Sequence, residues 1–254
     1  MEQHTSFVEL EKPLYSIQTE FSDAHCHLNL FKNVDEVLAE ARKRGVGIII
    51  TSGGNAKDNE ENCMLTRKES IFAVIGIGPD SPVPESDFTE EVEKIIKSNE
   101  KIVGIGEIGI DVKKEMDIGV QKRLFRMQLE LANKLDFPVV IHSRGALKDV
   151  LEIIEKVKVK RIMFHFFEGD EKQAIELAKK GYLISIPPAE TEKRKKIILE
   201  VGLESLVVET DSPIVGKTPA DVVKVCATIA KLKNIPLEDV AAKTTENIRR
   251  LFYI

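Results

Sequence analysis

Tryptophan is absent from this chain, cysteine occurs three times, and nowhere is there a run of about 18 apolar residues. The missing apolar run removes a transmembrane helix from the expectations. Cys26, Cys63 and Cys226 are odd in number and scattered, which excludes a disulfide framework and points to free thiols in a reducing cytoplasm. Met1 to Glu20 lacks a basic start followed by an apolar stretch, so no secretory signal is expected there. An excess of positive charge is also missing. The 37 Lys and Arg face 42 Asp and Glu, a net charge of −5, which excludes broad electrostatic attachment to nucleic acid or to an anionic membrane. Local capture of a phosphate by bound metal ions is unaffected by that balance. Gly76-Ile77-Gly78-Pro79 has no Lys-Ser/Thr after it and is therefore not a phosphate-binding P-loop. No Pro/Gly/Ser-rich linker or low-complexity segment divides the chain, so residues 1–254 are expected to form one domain. Residues 1–20 form a leader without an assigned element, a candidate to cover one end of that domain.

What is present is a soluble, core-forming composition, 43% hydrophobic and 31% charged, arranged as an alternation. Strand-like runs are expected near 21–26, 46–52, 71–77, 102–107, 137–142, 161–166, 182–186 and 206–210. Most are near-continuous Ile/Val/Phe, as strands buried on both faces require. Amphipathic stretches separate them, among them Val34 to Lys43 with Gly45 as its stop, Gln121 to Leu135, Leu147 to Val157, and Glu171 to Lys180 ending at Gly181. Pro236 to Ile254 reads as a last helix, with Val240, Ala241, Thr244, Ile248 and Leu251 on one face. Eight such βα units predict a (β/α)8 TIM-type barrel. A doubly wound open sheet is the rival. The barrel is favoured because the chemistry-bearing residues end five different strands, and only a closed barrel gathers all of those ends at one mouth.

Those residues are distinctive. Four of the five histidines end apolar runs: His25 and His27 after the first, His142 after the fifth, His165 after the sixth. Glu107 and Asp211 hold the same position after the fourth and eighth. Four imidazoles and two carboxylates at one place are a metal site, and enough donors for more than one ion. Alternation along a strand turns His25 and His27 to one side and Cys26 to the other. Gly104, Gly106 and Gly109 around Glu107 permit close backbone approach, and a carboxylate there can bridge two ions about 3.5–4 Å apart. Asp211 is placed to bind metal and to accept a proton from the attacking water. Glu209, two residues earlier, is expected one layer deeper, either steadying a ligand or touching substrate. Asp23 is expected one layer below His25, orienting its ring. Ser143 and Arg144 follow His142 as candidate substrate contacts. Arg144 is either a clamp for an anionic oxygen or a surface salt bridge. His4 and the run Lys193 to Lys196 read as solvated surface.

With these positions in place, the chain resembles the TatD-related metal-dependent DNase family of amidohydrolase-like barrels. The matching segments are His25 to Leu28, Gly106 to Asp111, Phe125 to Ala146, His165 to Gly169, Gly181 to Pro187, Glu209 to Pro213, and Thr244 to Asn247 with Leu251 and Phe252. The resemblance implies two divalent ions (Zn, Mn, Mg, Ni or Co). One is held by His25, His27, Glu107 and Asp211, the other by Glu107, His142 and His165. It implies hydrolysis of phosphodiester bonds in DNA, at single strands or strand ends, with Asp211 and Glu107 as the catalytic carboxylates and a metal-activated water as nucleophile. A different ester or amide, such as an aminoacyl-tRNA ester or a lactone, is the alternative at the same metals. The chain departs from the family pattern at Asn29, Gly78, Val112 and Gly145, and in a short loop after Pro213 that lacks the usual Arg and Asn.

Overall fold

A computed structural model describes residues 19–82 and 88–254, and the leader from Met1 to Gln18, with His4, lies outside them. Eight strands form one parallel sheet in sequential order. They are β1 (Phe21–Cys26), β2 (Val46–Ser52), β3 (Ile71–Ile75), β4 (Ile102–Asp111), β5 (Val139–Arg144), β6 (Ile162–Phe164), β7 (Leu183–Ile186) and β8 (Leu206–Val208). The helices are α1 (Val34–Lys43), α2 (Ala56–Leu65), α3 (Phe88–Ser98), α4 (Ile118–Leu135), α5 (Leu147–Val157), α6 (Glu171–Lys179), α7 (Glu192–Glu200), α8 (Val222–Lys233) and α9 (Leu237–Phe252).

Local chemistry sets these boundaries. The Asn33 side chain accepts from the Glu36 amide to start α1, and Gly45 stops it at φ +82°. Asp170 and Gln173 form a reciprocal capping box on α6. The Asp117 carboxylate starts α4 three residues before the expected Gln121.

The eighth strand returns to the first at their C-terminal ends. The Asp211 amide donates to the His25 carbonyl at 2.9 Å, and the His27 amide to the Ser212 carbonyl at 2.8 Å. The same contacts therefore nearly close the barrel and set His25, His27 and Asp211 side by side.

Strand 4 is longer than expected. It runs through Glu107 to Asp111 because β5 pairs with it that far, Gly109 opposite His142 and Asp111 opposite Arg144. A side chain at Gly109 would collide with the His142 carbonyl, so only glycine permits this pairing. The register slips between Ile105 and Ile108, and the Glu107 amide is bonded to the Gly53 carbonyl beyond β2 instead.

The other end is apolar. Ala24, Ile50, Val74, Val140, Met163 and Val207, from six strands, pack inside the barrel with Ile248, Leu251 and Phe252 of α9. A methyl group on Gly104 of β4 would lie 3.2 Å from the Phe252 ring. Asn247 donates to the carbonyls of Leu203 and Leu206 and pins the helix where β8 begins. The expected closing helix is therefore the floor of the barrel.

Candidate metal centre

The two ends of β1 and β8 and the middle of β4 converge at the open mouth. His25 Nε2 and His27 Nε2 lie 3.3 Å apart. Asp211 Oδ1 stands 3.7 Å from the first and 3.3 Å from the second. Glu107 lies between two groups of imidazoles. Its Oε2 faces His25 at 3.4 Å and His27 at 3.8 Å, while its Oε1 faces His142 Nδ1 at 2.7 Å and His165 Nε2 at 3.7 Å. Within His25, His27 and Asp211, and again within Glu107, His142 and His165, donor atoms lie within 4.8 Å of one another. The His25 and His165 rings stack at 3.7 Å between centroids.

The outer nitrogens of His27, His142 and His165 are held from behind, whereas His25 Nδ1 is buried without a hydrogen-bond partner among the described residues. His27 Nδ1 donates to the Ser52 carbonyl at 3.1 Å, which leaves the Nε2 lone pair aimed inward. His165 Nδ1 meets Glu209 Oε2 at 2.9 Å, and His142 Nε2 meets Asp111 Oδ2 at 3.1 Å. Backing acceptors of this kind fix the tautomer and raise the basicity of a metal-ligating imidazole. Glu209 is fully buried, and its second oxygen accepts from the Phe166 amide at 2.8 Å, so it steadies His165 and its loop from within the protein.

The charge distribution is that of a site short of positive charge at its centre. Burial opposes ionisation of Glu107, yet His165, His142 and His25 hold its carboxyl well below the usual range. Burial likewise works against the charged form of His165, but Glu209 and Glu107 override it and lift the imidazole to about 10. Asp211 Oδ1 is buried with no hydrogen-bond partner among the described residues. Asp211 also adopts φ +49°, uncommon outside glycine though better tolerated by Asn and Asp, where its neighbours hold it by backbone bonds. An orphaned carboxylate oxygen among imidazole lone pairs is what a bound cation would satisfy, and the His/carboxylate donor set suits a divalent metal.

Two expectations need correction. Asp23 does not orient the His25 ring. It accepts from the Thr210 amide at 2.9 Å, the Thr210 hydroxyl at 2.5 Å and the His25 amide at 3.2 Å, tying β1 to the segment after β8. The register slips between Asp23 and Cys26, and Ala24 packs inside the barrel, so counting back two residues from His25 changes face. Nor is the basic run after β7 all solvated. Arg194 is only 8% exposed, donates to the Ala189 and Phe167 carbonyls, and lies over the Phe166 ring at 5.0 Å. It braces the two loops that follow β6 and β7, beside His165.

Asp111 was missed as a functional residue, although alternation from Glu107 along β4 puts it on the same face. The role of the Ser52 carbonyl has no side-chain signal. Ser143 and Arg144 line the mouth, a cavity of about 530 Å³, with Arg144 Nε 3.8 Å from Glu168 Oε1. No helix among the described residues is long and apolar enough to cross a membrane.

The chain is similar to known proteins over nearly all of its length. An uncharacterized metal-dependent hydrolase of Methanocaldococcus jannaschii is 36% identical over 244 residues, covering 91% of this chain and 96% of that protein. The human deoxyribonuclease TATDN3 is 28% identical over 256 residues, covering 91% and 93%. The crystal structure of YJJV, a TatD homolog from Escherichia coli, superposes with a TM-score of 0.85 at 26% identity, covering 93% of this chain and 99% of that one. The profile of the TatD-related DNase family matches residues 22–253, from the start of β1 to the end of α9, and the chain belongs to that family of metal-dependent hydrolases.

Proposed function

We propose that this hydrolase is a deoxyribonuclease that cleaves phosphodiester bonds at DNA strand ends with two divalent ions. His25, His27, Glu107 and Asp211 would hold one ion, and Glu107, His142 and His165 the other. The observation that carries this reading is the division of Glu107 between two groups of imidazoles, one oxygen to each. Bound there, such ions would polarise the phosphoryl oxygens and make water a nucleophile near neutral pH. Hydrolysis would join the water oxygen to phosphorus and break the bond from phosphorus to a sugar oxygen, which leaves as a hydroxyl after gaining a proton. Asp211, whose Oδ1 would also help to hold the ion beside His27, would take the proton that the water loses and return it to the leaving sugar oxygen. Asp111 and Glu209 keep the His142 and His165 rings turned inward throughout. Arg144 can reach a non-bridging oxygen at the rim by turning away from Glu168, and Ser143 beside it can donate a hydrogen bond. The human relative named a deoxyribonuclease supports DNA as substrate. Free thiols at Cys26, Cys63 and Cys226 support a cytoplasmic setting.

The test is digestion of end-labelled single-stranded DNA by the purified chain with EDTA, Mg, Mn or Zn, beside Glu107→Ala. Metal-dependent cleavage absent from the variant is expected. Turnover of carboxylic esters or amides with none on DNA would move the reading to another bond at the same metals.

A further inference from the structure

The walls of the mouth carry information that the metal centre does not. Among the described residues lining the cavity, the Lys and Arg side chains are Lys114 and Arg144. Each faces an acid that lines the same cavity. Lys114 Nζ is 2.5 Å from Asp80 Oδ2, and Arg144 Nε is 3.8 Å from Glu168 Oε1. A third acid, Asp58, also lines the wall, fixed by amide donors from Asn29 and Asn55. Lys32, Lys113 and Lys217 lie in the loops after β1, β4 and β8 but outside the cavity lining. A protein that follows a nucleic-acid strand uses a positively charged groove along its backbone. Here the whole chain is acidic, with a net charge of −5, and the mouth is no exception.

One edge of the cavity is apolar instead. Leu30, Ile214 and Val215 line it and are 51%, 63% and 39% exposed. Single exposed apolar residues are ordinary, but these three come from the loops after β1 and β8, the neighbours that supply His27 and Asp211. The lip therefore lies beside the proposed metal ligands and offers an apolar surface for the face of a base or sugar.

We propose that the site engages one phosphodiester and one adjoining nucleoside, the nucleoside resting on Leu30, Ile214 and Val215, and that it does not follow a polynucleotide backbone. This rests on the phosphodiesterase reading above. The favoured substrates are dinucleotides and the last linkage of short single strands. Chain length then adds little to recognition, because phosphates beyond the first meet Asp58, Asp80 and Glu168 in the cavity wall, where Lys114 and Arg144 already face acids.

The test compares the Mn-loaded full chain on a thymidine dinucleotide, an end-labelled thymidine 20-mer and bis(p-nitrophenyl) phosphate, at 50 and 200 mM salt. One phosphate contact predicts a loss of about 3-fold in kcat/KM between these salts, whereas five contacts would lose about 100-fold. The expected result is kcat/KM per strand end equal within about 3-fold for dinucleotide and 20-mer, with the shallow salt dependence for both. Asp80→Asn, which releases Lys114, should favour the 20-mer over the dinucleotide by about 3-fold or more and steepen its salt dependence. Ile214→Ser should raise KM for both nucleotides with less effect on bis(p-nitrophenyl) phosphate. A 20-mer preferred by 30-fold or more, with a salt loss near 100-fold, would overturn the proposal while leaving the nuclease reading intact. Absence of turnover on all three phosphodiesters would overturn the nuclease reading and this proposal with it.

Discussion

The two ends of this barrel are built by the same strands and are chemically opposite. At the C-terminal mouth the strands deliver four imidazoles and the carboxylates of Glu107 and Asp211, backed by Asp111 and Glu209. At the floor, inward residues such as Val74, Val140 and Met163 meet Ile248, Leu251 and Phe252 of α9 in a dry cluster. The mouth is costly to build, since buried charged groups must be paired or bind an ion. The floor is where burial of apolar surface stabilises the fold. Function and stability are thus divided along the barrel axis, and substitutions at the two ends should fail in different ways.

The largest effect is expected at the centre of the mouth. Glu107→Ala should reduce metal-dependent hydrolysis to background while circular dichroism still reports a folded chain. Loss of the fold together with the activity would break the division. At the floor, Phe252→Ala should cost about 3–5 kcal/mol of unfolding free energy, measured by denaturant titration, with kcat unchanged in the folded fraction. A large fall in kcat at full folding would show that the floor is coupled to the site.

Asp111→Asn should be intermediate. It keeps the shape behind His142 but weakens the acceptor, and a 10–100-fold loss of metal affinity or activity is the usual order for such a partner. Titration with Mn followed by assay would measure it, and wild-type affinity would remove Asp111 from the site. A further effect concerns pH. In metal-free protein the His165 pKa is raised from 6.5 to about 10, by carboxylates that override the opposing effect of burial. A raised pKa contributes stability that is fully present below 6.5 and is lost as pH rises through about 10. The Tm of the metal-free chain should therefore fall across that window, and His165→Ala should flatten the slope. An unchanged slope in the variant would place the titrating group elsewhere.

The sequence by itself determined the barrel, because near-continuous apolar runs alternating with amphipathic segments satisfy both faces of a parallel strand. It also determined which side chains stand at the mouth, because an ionisable residue just past an apolar run comes to rest where the strand leaves the core. Val34 to Lys43 and Leu147 to Val157 match α1 and α5 because caps and periodicity agree there. Tertiary structure decided the rest, through contacts between segments distant in the chain. The slip before Cys26 turned Asp23 away from the His25 ring, since alternation holds only where the register is unbroken. Pairing with β5 carried β4 past Glu107 and brought Asp111 behind His142. Arg194 left the solvent because two loop carbonyls and the Phe166 ring were waiting for it. The closing helix became the floor because only the folded barrel presents an apolar opening for Phe252 to fill.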